Sequence, residues 1–226
     1  MKFTADQSIM DFQKFSAGVY GEPNDRMFSL ADMLSHQQRF AMRAIKGIRK
    51  GDNEKLKLNL LISFAFLASI ANRLHINLEE DLWQRFPNLC SYCGHCPCVC
   101  KSARTEFRQK VLATGEKPKT LAEFQKMFDT IYPHESRSLT EAGIHLAEEL
   151  GEISEAIHVY YGNHNKDHFD QICLEISDLI SCIFGVANSA GVDVAGELAL
   201  TFGDNCHVCH QAPCACSFLK IATIKT

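Results

Sequence analysis

Four cysteines at C-x2-C-x3-P-C-x-C spacing, Cys90, Cys93, Cys98 and Cys100, return as Cys206, Cys209, Cys214 and Cys216. Four thiolates suit a closed tetrahedral zinc site of the structural kind. Iron–sulfur ligation uses the same donors, and His95, Cys96, His207 and His210 stand nearby as spare ligands. The second constellation is acidic: Glu148, Glu149 and Glu152, then Glu175 and Asp178. Residues three apart share a helix face, so Glu149 pairs with Glu152 and Glu175 with Asp178. Two facing helices would bring these four carboxylates together, and an all-oxygen set suits a hard cation such as Mg²⁺.

The repeated cysteines, 116 positions apart from Cys90 to Cys206, point to a tandem duplication. The match extends further. Phe12, Gln13, Lys14 and Tyr20 recur as Phe124, Gln125, Lys126 and Tyr132, 112 positions on, and Asn72 recurs as Asn188. The expected organisation is a first repeat over residues 5–100, a linker over 101–116 and a second repeat over 117–216. The first repeat then serves as an internal control. At these two offsets Glu149 and Glu152 fall on Gln37 and Phe40, while Glu175 and Asp178 fall on Asn59 and Ile62. Acids needed only for the fold would have left some trace there. The cysteines are kept in both copies and read as structural.

The elements that must position these groups are helical. No period-2 stretch bounded by turn residues appears. In the second repeat, helices are expected over 121–132, from a capping box at Ser138 and Glu141 to about 161, over about 168–190 with Gly191 as the stop, and over 194–201. The first repeat supplies counterparts over 11–20, 30–50, 54–74 and 78–86. The fold class is all-α, a tandem of helical bundles each followed by a small Cys-rich knot, packed as a pseudo-dimer within the chain. Further homodimerisation is left open. Leu146, Leu150, Ile153 and Ile157 line one side of the helix that carries Glu148, Glu152 and Glu155 on the other, which is also the pattern of a plain surface helix. The next helix differs. Ile172, Ile176, Leu179, Ile180, Ile183 and Phe184 cover most of its circumference, so Glu175 and Asp178 approach the core. Buried carboxylates must be protonated, paired or cation-bound, and that helix carries no Lys or Arg beyond its start. Cys173 and Cys182 read as core residues. His158, His164 and His168 read as polar residues around the connecting loop.

The bulk properties narrow the function. A chain of 226 residues with net charge −4 and no Lys/Arg block gives no reason to expect nucleic acid. The N-terminus lacks the apolar stretch of a signal peptide, and the longest apolar run, residues 60–71, is too short to span a bilayer. Nine of the eleven cysteines lie in the two clusters, which without an export signal favours metal ligation over disulfides. A cytoplasmic protein is the expectation.

The acidic pattern, Glu148, Glu149 and Glu152 followed after twenty-two residues by Glu175 and Asp178, resembles the MazG-like all-α nucleotide pyrophosphohydrolases. His145, Asn188, Gly191, Asp193 and the Phe124–Lys126 start are similar too, so the resemblance spans about residues 121–200. It implies Mg²⁺-dependent hydrolysis of a nucleoside triphosphate to monophosphate and pyrophosphate. By that resemblance Glu149, Glu152, Glu175 and Asp178 hold Mg²⁺, Glu148 orients the attacking water, and Asn188, Lys126 and Arg137 contact the nucleotide. Lys14 and Arg26 repeat the last two, which fits a structural role equally well. A dUTPase-like or phosphoribosyl-ATP-pyrophosphatase-like relative has the same metal set. An inactive zinc-stabilised binding or regulatory module is the alternative of a different kind.

Overall fold

Side-chain caps set most of the helix boundaries. The computed structural model describes residues 2–103, 106–107, 109, 111–113 and 115–226. Reciprocal capping boxes open α1 (Ile9–Met27) at Ser8 and Asp11, α2 (Leu30–Lys50) at Ser29 and Asp32, α5 (Leu121–Ile131) at Thr120 and Glu123, and α6 (Leu139–Gly162) at Ser138 and Glu141. The long helices α3 (Asn53–Leu74) and α7 (Lys166–Ala190) end on left-handed residues, His75 at φ 57° and Gly191 at φ 66°. Asn77 and Asp193 cap the short helices α4 (Leu78–Arg85) and α8 (Val194–Thr201). A 3-10 turn, His134–Ser136, precedes α6, and α9 (Phe218–Ala222) lies near the C-terminus. Among the described residues all regular structure is helical, as expected.

Two boundaries differ from expectation. α1 continues past Tyr20 through Pro23 to Met27, burying Pro23 and Asn24 and closing where the Phe28 N–H donates to the Asn24 carbonyl. α9 had no expected counterpart. The expected linker includes Arg104, Thr105, Arg108, Lys110 and Thr114, which lie outside the described residues. Its far end is tied down by Lys117, which pairs with Glu80 at 2.8 Å and Glu79 at 3.4 Å.

The same hydrogen bonds fix both halves. The Gln13 amide donates to the Ile76 carbonyl (2.6 Å) and accepts from the Leu78 N–H (3.1 Å), while Asn72 donates to the Gln13 carbonyl (3.0 Å). Gln125, Val192, Val194 and Asn188 repeat this clasp at 2.7, 3.0 and 3.2 Å. The halves also interlock. α2 and α3 form one hairpin, α6 and α7 another, and Gln38 on α2 donates to the Leu150 carbonyl on α6 at 2.9 Å. α4 crosses onto α7, and α8 onto α3. Each cysteine knot bonds to the opposite half, Cys98 N–H to the Ile131 carbonyl and Cys214 N–H to the Val19 carbonyl, both at 2.8 Å. A chain of rings, Phe12, Phe64, Phe184, Phe128 and Phe86, with centroids 5.0–6.1 Å apart, runs through one continuous core. By length and composition α7 is apolar enough to cross a bilayer, yet it is packed in the middle of this core, whereas only an exposed apolar helix needs lipid.

Candidate functional site

The α6–α7 hairpin carries the acids. Glu149 and Glu152 lie three residues apart on α6, and Glu175 faces them from α7, with one oxygen of each inside a 4.8 Å cluster. Glu175 is only 7% exposed. Its Oε2, like Glu149 Oε2, is buried without a hydrogen-bond partner among the described residues. Its Oε1 accepts from Gln171. Burial, reinforced by the charges of Asp178, Glu152 and Glu175 and opposed by Arg85, pushes Glu149 up to about 8. Burial and the Asp178 charge raise Glu175 to about 7, against the lowering effect of the Gln171 hydrogen bond. Two orphaned carboxylate oxygens beside a third carboxylate form a hard, all-oxygen donor set.

Asp178 does not join them. Arg85, from α4 in the first half, donates Nε to its Oδ1 at 2.9 Å and Nη2 to its Oδ2. Their side chains are 9% and 16% exposed. This fork is the paired solution to a carboxylate near the core. Of the four acids expected to converge, three share one cluster and the fourth, Asp178, is ion-paired. The cation was invisible in the α7 sequence because it arrives from 93 residues away.

A cleft of about 490 Å³ borders Glu149 and Asp178. The first knot (Cys90, Tyr92, Cys98, Cys100) forms one wall, and the 133–145 segment with Arg137 and His145 forms another. Glu148 is exposed, its Oε2 3.1 Å from Nδ1 of His145, which lines the cleft. Lys126 and Asn188 line a different groove of about 340 Å³ with Asp129, His134 and Asp193. Asn188 is already engaged in the Gln125 clasp, which Asn72 repeats in the first half.

Both knots have the spacing of metal sites. All eleven cysteines are free thiols. Cys90–Cys100 and Cys93–Cys98 lie 3.8 and 3.9 Å apart at sulfur, and Cys206–Cys216 and Cys209–Cys214 lie 4.0 and 3.8 Å apart. A tetrahedron with Zn–S bonds of about 2.3 Å has edges of about 3.8 Å, so each set closes around a zinc-sized ion. The spare donors stay out. His95 Nδ1 lies 2.7 Å from the Cys93 carbonyl, and exposed Cys96 turns toward the Thr130 carbonyl.

Arg85, Lys101 and Gly185 were not singled out from sequence. A better register would have pointed to the first-half counterparts. Counted from their N-caps, Ser29 and Ser138, Glu148, Glu149 and Glu152 match Arg39, Phe40 and Arg43 rather than falling at the 112 offset. The two capping boxes carried that signal. Counted back from His75 and Gly191, Glu175 and Asp178 do match Asn59 and Ile62. Comparison with family models, with curated proteins and with solved structures returns no match.

Proposed function

We propose that the chain is a Mg²⁺-dependent nucleoside triphosphate pyrophosphohydrolase, a tandem of MazG-like bundles in which only the second copy is catalytic. One observation carries the reading: Glu149 and Glu175 keep buried, unpartnered oxygens beside Glu152, and Glu149 lines a cleft. A fold has no use for such groups uncompensated, since burying an unpaired carboxylate is costly.

In this reading Glu149, Glu152 and Glu175 hold Mg²⁺, with Asp178 behind them as the anchor for Arg85. Mg²⁺ supplies charge neutralisation of the phosphate oxygens when bound. The oxygen of a water molecule bonds to the α-phosphorus as the α–β bridging bond breaks. Pyrophosphate leaves with the bonding electron pair, and the water's proton passes to the Glu148–His145 pair at the rim. The knots, present in both halves, hold zinc and brace the clefts. A dUTPase-like or phosphoribosyl-ATP-pyrophosphatase-like specificity is compatible with the same acids.

The Arg85–Asp178 pair favours a second reading, a zinc-stabilised binding module without turnover, because one of the four acids serves the fold. Pyrophosphate release decides between them, measured on a panel of ordinary and damaged (d)NTPs with and without Mg²⁺. The expected result is Mg²⁺-dependent release reduced about a hundredfold or more in Glu152→Gln. No release from any nucleotide by folded, zinc-loaded protein would establish the binding module.

A further inference from the structure

We propose that the cleft is a polyphosphate site shared between the halves, in which Arg137 and Lys101 grip the anion whose other end meets the carboxylates. This rests on the reading above that Glu149, Glu152 and Glu175 take a divalent cation.

Arg137 occupies a made-to-measure seat. Its guanidinium lies across α7 at Gly185, where an added Cβ would come within 2.1 Å of Nη2, so any other residue would displace it. Its Nε is buried without a partner among the described residues. An unsatisfied buried donor costs stability unless a ligand completes it. The guanidinium lies within electrostatic reach of the Cys182 thiol, as do Glu149 and Asp178 from the acidic side. Cation and acids thus flank one short stretch of cleft. A bare anion would be repelled by the acids. A polyphosphate carrying a divalent cation satisfies both ends, metal toward Glu149 and free oxygens toward Arg137.

Lys101 is the first linker residue after the first half. It directly follows Cys100, so the first knot carries it to the cleft, where Nζ donates to the Ser136 carbonyl at 3.3 Å, next to Arg137. The zinc knot is then a wall that delivers a phosphate ligand as well as a brace. By the helix caps the first half has Phe28 in place of Arg137 and Ser69 in place of Gly185, and Arg26, the sequence match of Arg137, is exposed and paired with Glu22, so the seat does not exist there. Lys126, in the separate groove beside Asp129 and His134, has no part in it.

The test is calorimetric titration of the full-length, zinc-loaded protein with inorganic tripolyphosphate in Mg²⁺. Native protein binds. Arg137→Ala weakens binding at least about tenfold and Lys101→Ala about threefold, with Arg137→Lys between native and Arg137→Ala. Lys46→Ala, on the exposed face of α2, binds as native. Zinc content and Tm equal to native show that each variant is folded. Unchanged affinity in folded Arg137→Ala and Lys101→Ala, equal weakening by Lys46→Ala, or no tripolyphosphate binding by native protein would each overturn the proposal. Arg137-dependent binding with no turnover of any nucleotide would sink the enzymatic reading while leaving this site in place.

Discussion

The two halves build the same corner of the fold and fill it in opposite ways. In the second half the corner beneath the knot is a cleft of about 490 Å³ edged by carboxylates. In the first half the matching corner, under Cys206, Cys214 and Cys216, holds about 50 Å³ between Phe40, Ile62 and Phe66. Charge is inverted as well. Arg39 and Arg43 stand where Glu148 and Glu152 do, with their guanidiniums over the Phe40 ring at 4.6 and 5.4 Å. They donate to carbonyls of the 217–226 segment: Arg39 to Ile221 (2.9 Å) and Ala222 (2.5 Å), Arg43 to Ile224 (2.8 Å). Thr226 reaches Asn59, the counterpart of Glu175, at 2.5 Å. Phe218 packs on Phe28, ring to ring at 5.3 Å. The first corner is filled by its own chain, and its buried atoms without a hydrogen-bond partner among the described residues, Tyr20 Oη, Gln37 Oε1, Arg39 Nε and His207 Nδ1, include no carboxylate oxygen. The second leaves one carboxylate oxygen each of Glu149 and Glu175 buried without a partner among the described residues. In the reading proposed above, that contrast separates acids kept for a ligand from acids kept for a fold.

The largest way to break the comparison is through what the corners share. Replacing one thiolate leaves a three-ligand site, and structural zinc binding is folding free energy. Cys93→Ser and Cys209→Ser are each expected to lose one zinc of two per chain by elemental analysis, with a large fall in Tm. Because each knot bonds to the opposite half, both substitutions should melt the whole molecule in one transition. Two separate calorimetric transitions would contradict the interlocked fold.

Next come the guanidiniums. Arg85→Gln leaves Asp178 buried and unpaired, with an expected cost of about 3–5 kcal/mol. Arg39→Ala removes two hydrogen bonds to carbonyls of the tail and should cost about 1–2 kcal/mol. Denaturant unfolding measures both, and a reversed order would mean that the tail, not the Arg85 fork, holds the halves together.

A subtler test is the pH slope. Glu149 and Glu175 stand at about 8 and about 7 in the fold, against 4.5 in an unfolded chain. Between those values the metal-free fold binds more protons than the unfolded chain, so its stability falls as pH rises, fully retained near 4.5 and lost by about 8. Tm should therefore drop from about pH 5.5 to 8 in zinc-loaded, Mg²⁺-free protein. Glu175→Gln should flatten the slope, and added Mg²⁺ should raise Tm more at pH 8 than at pH 6. An identical slope in Glu175→Gln would remove these carboxylates as its source.

The helices were legible because their signals are local. Capping boxes lie within four residues, so α2 and α8 begin and end where the sequence placed them and α6 and α7 do so within two residues. The four-thiolate spacing was equally plain. What escaped was tertiary. The expected helix ended at Tyr20, but burial of Pro23 and Asn24 carries α1 onward. Arg85 and Asp178 meet from different halves. The drifting offset between repeats hid the match of Arg39 and Arg43 to Glu148 and Glu152, and with it the charge inversion. Asn188 and Lys126 stood out by pattern, yet one belongs to a clasp and both to another groove.

The most direct measurement is titration of the zinc-loaded, Mg²⁺-free protein with Mn²⁺ as a spectroscopic stand-in for Mg²⁺, at about pH 8, in native, Glu175→Gln and Arg43→Gln forms. The account predicts saturable Mn²⁺ binding in native protein and in Arg43→Gln, and its loss in Glu175→Gln. Binding that survives Glu175→Gln, or is absent from native protein, would show that the second corner is not a cation site.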